Sequence, residues 1–322
     1  MKKELNILFL GGAKRVSLAE CFINSGKRKG FDVSIFSYEL TPYLPIATVG
    51  TIIPGLRWTD PKIYDHLLDT IEKQKIDIVF PFVDQAIRIV SELKKLTPHI
   101  FIPCSDIDIC DIMFDKKKSA QWFLDSGFPI PKDYSDETEI EKYPVILKPK
   151  KGSASQGIIL IDNLTQLKEF RKQHNLEGYL IQQYIHPSTE YTIDCYVSEN
   201  GEIISVVPRV RLEVMGGEVT KTMTEKNEIL IELSKKILNK GQFRGPITIQ
   251  FIKDNISGEI FVMEINPRFG GGVIASIMAG ADITTTIIDE FCGISPKIIP
   301  MEQWHDKTLM IRYFKEVIFQ CN

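Results

Sequence analysis

An apolar run over residues 5–10 stops at Gly11 and Gly12, apolar positions then recur at helical spacing over residues 16–28, and a second apolar run occupies 32–36. The pattern predicts a buried strand, a turn, a helix and another strand. Residues 64–73 and 85–95 read as helices, 76–80 as a strand and 100–102 as a short strand. Such alternation implies a parallel sheet covered by helices.

The texture changes at Asp115. A helix through Leu124 is followed by a Gly-Phe-Pro-Ile-Pro break at 127–131 and an acidic loop at 136–141, so a domain boundary fits near residue 110. Strands at 145–148 and 157–161 enclose a loop of glycine and serine, and a helix at 164–173 and a strand at 179–183 follow. The remainder alternates strands at 191–197, 203–209, 246–252 and 260–265 with a helix at 228–238 and another starting near Val273. This part reads as α+β, with no repeat of fixed period and no low-complexity segment.

Composition narrows the function classes. Across 322 residues, 43% are hydrophobic and 25% charged, which are globular values and leave room for about two domains or more. A formal net charge of -3 gives no general attraction to nucleic acid or an anionic membrane, so any bound anion must be held by local groups. Cys21, Cys104, Cys110, Cys195, Cys292 and Cys321 form no CxxC pair, which predicts reduced thiols and a cytoplasmic setting. The apolar run after Lys2 and Lys3 is too short for a signal or membrane segment.

The most chemical stretch is FVMEINPRFGGG at 261–272. In an extended segment Glu264, Asn266 and Arg268 share one face, which suits a divalent cation and a phosphate; a strand end with a solvated Glu and Arg is the plain alternative. The hairpin signal at 254–258 folds Gln250 back toward Glu264, adding a second amide to the same cation site. Lys148 closes an apolar strand and leads into Lys150, Lys151, Gly152, Ser153, Ala154, Ser155, Gln156 and Gly157. Small residues there can wrap a polyphosphate, or form an ordinary basic hairpin; the sequence is not a Walker A loop.

Gln182, Gln183, Tyr184 and Ile185 close another strand, and an extended hinge with free backbone groups can pair with the edge of an adenine. Glu190, a few residues later, can accept hydrogen bonds from ribose hydroxyls or simply face water. Gly11 and Gly12 do not complete a dinucleotide fingerprint, since Ala13 and Val16 stand where later glycines belong. Asp84 lies just beyond a strand end, where ligands of open parallel sheets sit, and is a candidate for the substrate site; a helix N-cap is the plainer explanation. Arg209 and Arg211 alternate before a glycine turn at 216–217, a spacing that suits the polar face of a strand.

Taken in order, these motifs resemble an ATP-grasp enzyme, most closely single-unit proteins similar to one half of the carbamoyl phosphate synthase large chain. The resemblance covers nearly the whole sequence. It implies an N-terminal parallel-sheet, Rossmann-like domain over 1–110, a small lid subdomain over 111–182 and a C-terminal subdomain with the metal site over 183–322. It further implies that Lys116 and Lys148 contact ATP phosphates, that Ser153 and Ser155 lie over them, and that Gln182, Gln183, Tyr184 and Ile185 hold adenine with Glu190 on ribose. Gln250, Glu264 and Asn266 would hold Mg2+, or Mn2+ in its place, the neutral Gln250 standing where most of the family has an acid. Arg268 and Arg211 would stabilise transferring charge.

The implied reaction is ligation: a substrate carboxylate becomes an acyl phosphate at the expense of ATP, and an amine or similar nucleophile displaces phosphate. Bicarbonate or carbamate phosphorylation is the alternative chemistry, and an ATP-binding regulatory protein without turnover the alternative class. Lys14, Arg15, Tyr38 and Asp84 are expected to shape the acceptor pocket. The partners implied are a small carboxylate and amine, with neither nucleic acid nor membrane, and a second copy in a homodimer.

Overall fold

The structure is a computed structural model that describes residues 3–150 and 157–320. Its first sheet has the order β3-β2-β1-β4, from β1 (Lys3–Leu10), β2 (Phe31–Glu39), β3 (Thr51–Pro54) and β4 (Ile78–Pro81), and every pair is parallel. Helices α1 (Val16–Arg28) and α2 (Ile63–Lys73) make crossovers between these strands, and α3 (Asp84–Leu96) follows β4. Residues 100–102, expected as a strand, contribute only an isolated bridge from Phe101 to Ile78. The sheet passes β1 to β2 on one side and to β4 on the other, so the loops after β1 and β4 flank a crevice at a switch in strand order.

Two helices follow, α4 (Ile107–Phe114) and α5 (Lys116–Asp125). The Asp115 side chain caps α5 by accepting from the Lys117 and Lys118 amides, which fixes the direction in which Lys116 leaves the chain. The divisions expected at residues 110 and 182 fall inside α4 and before the last residue of β8. A small antiparallel sheet has the order β5-β8-β6-β7, formed by β5 (Asp133–Tyr134), β6 (Val145–Pro149), β7 (Ile159–Ile161) and β8 (Tyr179–Gln183). Helix α6 (Leu164–Gln173) covers one face, where Tyr134, Val145, Leu147, Ile161, Leu167 and Ile181 form a core.

The largest sheet is antiparallel with the order β13-β12-β9-β10-β11-β14. Its strands are β9 (Ser188–Val197), β10 (Ile203–Met215), β11 (Glu218–Thr224), β12 (Gly245–Asp254), β13 (Ile260–Asn266) and β14 (Leu309–Ile311). Helices α7 (Glu228–Gly241), α8 (Val273–Met278) and α9 (Ile283–Phe291) complete it. Strands β11 and β14 are weakly patterned, being rich in Thr or only three residues long, and the periodicity gave no sign of them.

A shared apolar core joins the first sheet to the end of the chain. Phe9, Phe22 and Phe80 pack with Phe269, Val273, Ile283 and Ile287 in one buried cluster. Phe82 stacks on Phe269 with centroids 5.9 Å apart and planes at 9°. Aromatic packing of this kind, worth about 0.5–1.5 kcal/mol per pair beyond area burial, seats the loop around Arg268 against the loops that follow β1 and β4.

Candidate active site

Paired strand residues share a face, so register decides which side chains meet. Gln250 stands opposite Thr192 and Glu264, Thr248 opposite Asp194 and Asn266, and Arg209 opposite Thr192. One face of the large sheet therefore displays Glu264, Asn266, Thr248, Gln250, Glu190, Thr192, Asp194, Arg209 and Arg211. The other face carries Tyr191, Ile193, Cys195, Ile247, Ile249, Phe251 and Ile265 into the core.

A bulge makes the pairing possible. Gln250 pairs with Glu264 and the next residue, Phe251, with Val262, so Met263 is the extra residue. Without it Val262 and Glu264, two apart, would share a face. With it Val262 turns into the core while Glu264 stays on the polar side beside Gln250.

Glu264 is the hub of that end. Its Oε1 accepts from the Gln250 amide at 2.6 Å and from the Asn266 amide at 2.9 Å, and Asn266 Oδ1 accepts from Arg268 at 3.5 Å. Among the described residues no three Asp, Glu, His or Cys side chains form a metal cage. One carboxylate flanked by two amides fits magnesium of the kind that keeps substrate phosphates and water in its shell, and does not fit a closed structural metal site.

The small sheet brings the cations. Asp133 pairs with Gln182, and Lys148 is the diagonal neighbour of Gln182 on the same face. Gln182 Oε1 accepts from Lys148 Nζ at 2.5 Å while its amide donates to Asp133 at 2.8 Å, so the glutamine holds lysine and carboxylate together. Burial lowers the Lys148 pKa; Asp133 is the strongest opposing influence, Lys116 lowers it further, and Glu264 and Glu190 raise it. Lys116 donates to the Pro149 carbonyl at 3.3 Å. Lys148 thus has Lys116 beside it at the end of β6 and is itself within electrostatic reach of Glu190 and Glu264.

The hinge is shorter than expected. Gln182 and Gln183 lie in β8 with their backbone engaged, the Gln183 amide donating to Lys132 O at 2.8 Å, so only Tyr184 and Ile185 lie beyond the strand. Tyr184 stacks on His186 at 5.5 Å, and Ile185 is buried. Glu190 is paired with Arg211, Nε to Oε2 3.2 Å, and Arg211 also donates to Thr192 at 3.3 Å. Ser153 and Ser155 lie outside the described residues.

Two expectations are corrected. Asp84 is not an N-cap: Val83 occupies the cap of α3 with no side-chain bond, and the Asp84 carboxylate instead meets Arg268. Arg209 is not part of a solvated strand face. It is fully buried and grips Asp194 with two bonds of 2.6 and 3.0 Å, while Asp194 also accepts from Ser276 at 2.5 Å and Arg209 donates to Thr222 at 3.1 Å. This satisfied pair supports the glycine loop, since a Cβ at Gly270 would stand 3.0 Å from Asp194 and one at Gly272 2.5 Å from Arg209. Thr248 Oγ1 donates to the Arg268 carbonyl at 2.9 Å and fixes the loop's start.

Asp133, Asp194, Glu218 and Arg312 escaped the sequence reading. Asp133 sits in a two-residue strand after a proline break, and Arg312 follows a three-residue strand; neither segment is long enough to show a period.

Residues 175–314 match the family model described as ATP-grasp in the biosynthetic pathway with Ter operon. The chain is 25% identical over 233 residues to the arginine-specific carbamoyl phosphate synthase large chain of Bacillus subtilis, covering 65% of this chain and 22% of that protein. It is 26% identical over 170 residues to D-alanine--D-alanine ligase of Fusobacterium nucleatum, covering 49% and 58%. It therefore spans well under two thirds of either relative. The fold resembles N5-carboxyaminoimidazole synthetase of Staphylococcus aureus in complex with ADP, with a TM-score of 0.70 and 20% identity over 93% of this chain and 80% of that one. The family match over residues 175–314 and the likeness of fold agree with the resemblance carried by the motifs: the C-terminal part of the chain is similar to ATP-grasp proteins, and the whole chain has a fold like theirs.

Proposed function

We propose that this protein is an ATP-dependent ligase that activates a carboxylate as an acyl phosphate and joins it to an amine. One observation carries the reading: Lys148, with Lys116 beside it at the end of β6, lies within electrostatic reach of Glu190 and of the Glu264 hub on the large sheet. Two cations opposite a carboxylate with two amides is an arrangement for a polyphosphate and its cation. The ligases among the relatives support the same class.

In this reading Lys116 and Lys148 hold ATP phosphates as point charges, Tyr184 and Ile185 border the adenine, and Glu190 meets the ribose. Gln250, Glu264 and Asn266 would hold magnesium, which when bound neutralises phosphate charge and orients it. A carboxylate oxygen attacks the γ-phosphorus, the bond to the bridging oxygen breaks toward ADP, and the acyl phosphate forms. The amine then attacks the acyl carbon, loses a proton, and phosphate departs. Arg268 and Arg211 stabilise the developing negative charge by position rather than by proton transfer. No nucleophilic side chain is needed.

A panel of carboxylates and amines, assayed for ADP and phosphate with product mass analysis, tests the proposal. Bicarbonate belongs in the panel because the chain is similar to part of a carbamoyl phosphate synthase. ADP formation that depends on an added carboxylate and vanishes in Glu264→Ala supports ligase turnover. Nucleotide binding with no turnover under any pair leaves a regulatory binder.

A further inference from the structure

The loop after β1 does not serve the nucleotide, and its charges are not balanced. The Glu39 carboxyl, which accepts from Ser37 at 2.7 Å, lies beside the turn at Gly12 and Ala13, so a carboxyl group of the chain itself stands where a dinucleotide fold would greet a phosphate. The next residues, Lys14 and Arg15, turn instead toward the glycine loop at 270–272 and the strand end at Arg312.

Three arginines meet there. Arg312 donates to Glu218 at 2.7 Å and to the Gly271 carbonyl, and Arg268 is paired with Asp84. Arg15 has neither an ion pair nor a side-chain hydrogen bond among the described residues. Its guanidinium lies 5.8 Å over the Phe82 ring. A Cβ built at Gly271 would stand 3.4 Å from Nη1 of Arg15 and 3.5 Å from Nη2 of Arg312, so both guanidinium groups face one point beside the glycine loop. Burial lowers the Arg15 pKa to about 10, Arg268 and Arg312 lower it further, and Glu218 opposes them.

The amino end of α1 adds to the imbalance. Arg15 is its N-cap and no side chain caps the helix, so the first amides of a thirteen-residue helix are open to an anion. Asp84 is committed to Arg268, and Glu218, bonded to Arg312, is the carboxylate that Arg15 and Lys14 also face, so four cations meet two carboxylates. An excess of positive charge at a half-buried point is unfavourable unless something supplies the missing negative charge.

We infer that Arg15 and Arg312, with Lys14 and the start of α1, bind an oxyanion at the non-reacting end of a substrate, a phosphate or a carboxylate group. The site adjoins Arg268, which connects through Asn266 to Glu264, so a molecule anchored there extends toward the proposed phosphoryl-transfer centre. The inference rests on the proposed ligase reading for its link to turnover; the anion site itself stands on the arginine geometry. The ligand is thus a substrate with a second anionic group beyond the one that reacts.

The test is calorimetric titration of the full chain, first with ADP and magnesium, then with inorganic phosphate and separately with succinate, the nucleotide kept saturating. Saturable binding of either anion that weakens about tenfold or more in Arg15→Met and in Arg312→Met, and is partly restored in Arg15→Lys, is the expected result. Preference for phosphate or for succinate identifies which oxyanion is natural. Thermal melts of each variant, and phosphate-induced stabilisation of the unmutated protein, control for folding. Equal anion affinity in the unmutated protein and in folded Arg15→Met overturns the inference, as does the lack of any anion-induced stabilisation. Failure of ADP to bind, with anion binding intact, would count against the ligase reading alone.

Discussion

Arg268 and Asp84, far apart in sequence, form a two-pronged ion pair: Nε and Nη2 of the arginine lie 2.8 and 2.7 Å from the same carboxylate oxygen. The pair ties the end of the metal-side hairpin to the first helix residue beyond β4. It also aims the guanidinium, because Asp84 takes one edge and leaves Nη2 in contact with Asn266.

Asp84→Asn removes the aiming charge without removing Arg268. Steady-state kinetics with an identified substrate pair should show kcat/KM reduced about tenfold or more with the ADP dissociation constant unchanged. Arg268→Met removes the charge itself, and a loss of about 10²–10³-fold in kcat is expected, as for other groups that stabilise transition-state charge. An equal loss of nucleotide affinity in Asp84→Asn would refute a role on the acceptor side.

Glu264→Gln keeps the shape of the hub and deletes its charge. ADP should bind the variant with the same affinity in the presence or absence of magnesium, whereas the unmutated protein should bind it more tightly with the metal. Calorimetry at several magnesium concentrations reads the difference directly.

Lys148 predicts a pH dependence. Its folded pKa is lowered, by burial before any other cause, below the ordinary 10.5, so the unfolded chain holds this proton more strongly than the folded one. Stability of the ligand-free protein should rise with pH between the lowered folded value and the ordinary one. Nucleotide affinity should move in the opposite direction, falling as Lys148 loses its charge. Lys148→Arg, which does not titrate in that range, should flatten the affinity profile.

The buried Asp194–Arg209 pair should matter for stability rather than for chemistry. Asp194→Asn leaves Arg209 uncompensated in the interior, and denaturant unfolding should show a loss of about 3–5 kcal/mol. Gly272→Ala drives a methyl group toward Arg209 Nη1, and a loss of about 1–3 kcal/mol is expected from overpacking.

Much of the site was legible in local sequence because strands repeat every second residue. Glu264, Asn266 and Arg268 could be placed on one face from spacing alone, and the turn at 254–258 brought Gln250 into the neighbourhood of Glu264, while the bulge at Met263 that sets them side by side was not legible. Continuous apolar runs marked β1 and β12, and helical spacing set the limits of α1 and α6. Tertiary structure alone decided what the isolated charges do. Arg209 and Arg211 are two residues apart on one strand, yet the first is sealed against Asp194 and the second reaches Glu190 near the surface. Asp133 meets Lys148 through Gln182, and Arg15 meets Arg312 across a glycine, by pairings between segments that carry no mark of one another. The physical reason is range: backbone periodicity acts over a few residues and is written in order along the chain, whereas burial and charge pairing depend on which distant surfaces close on each other.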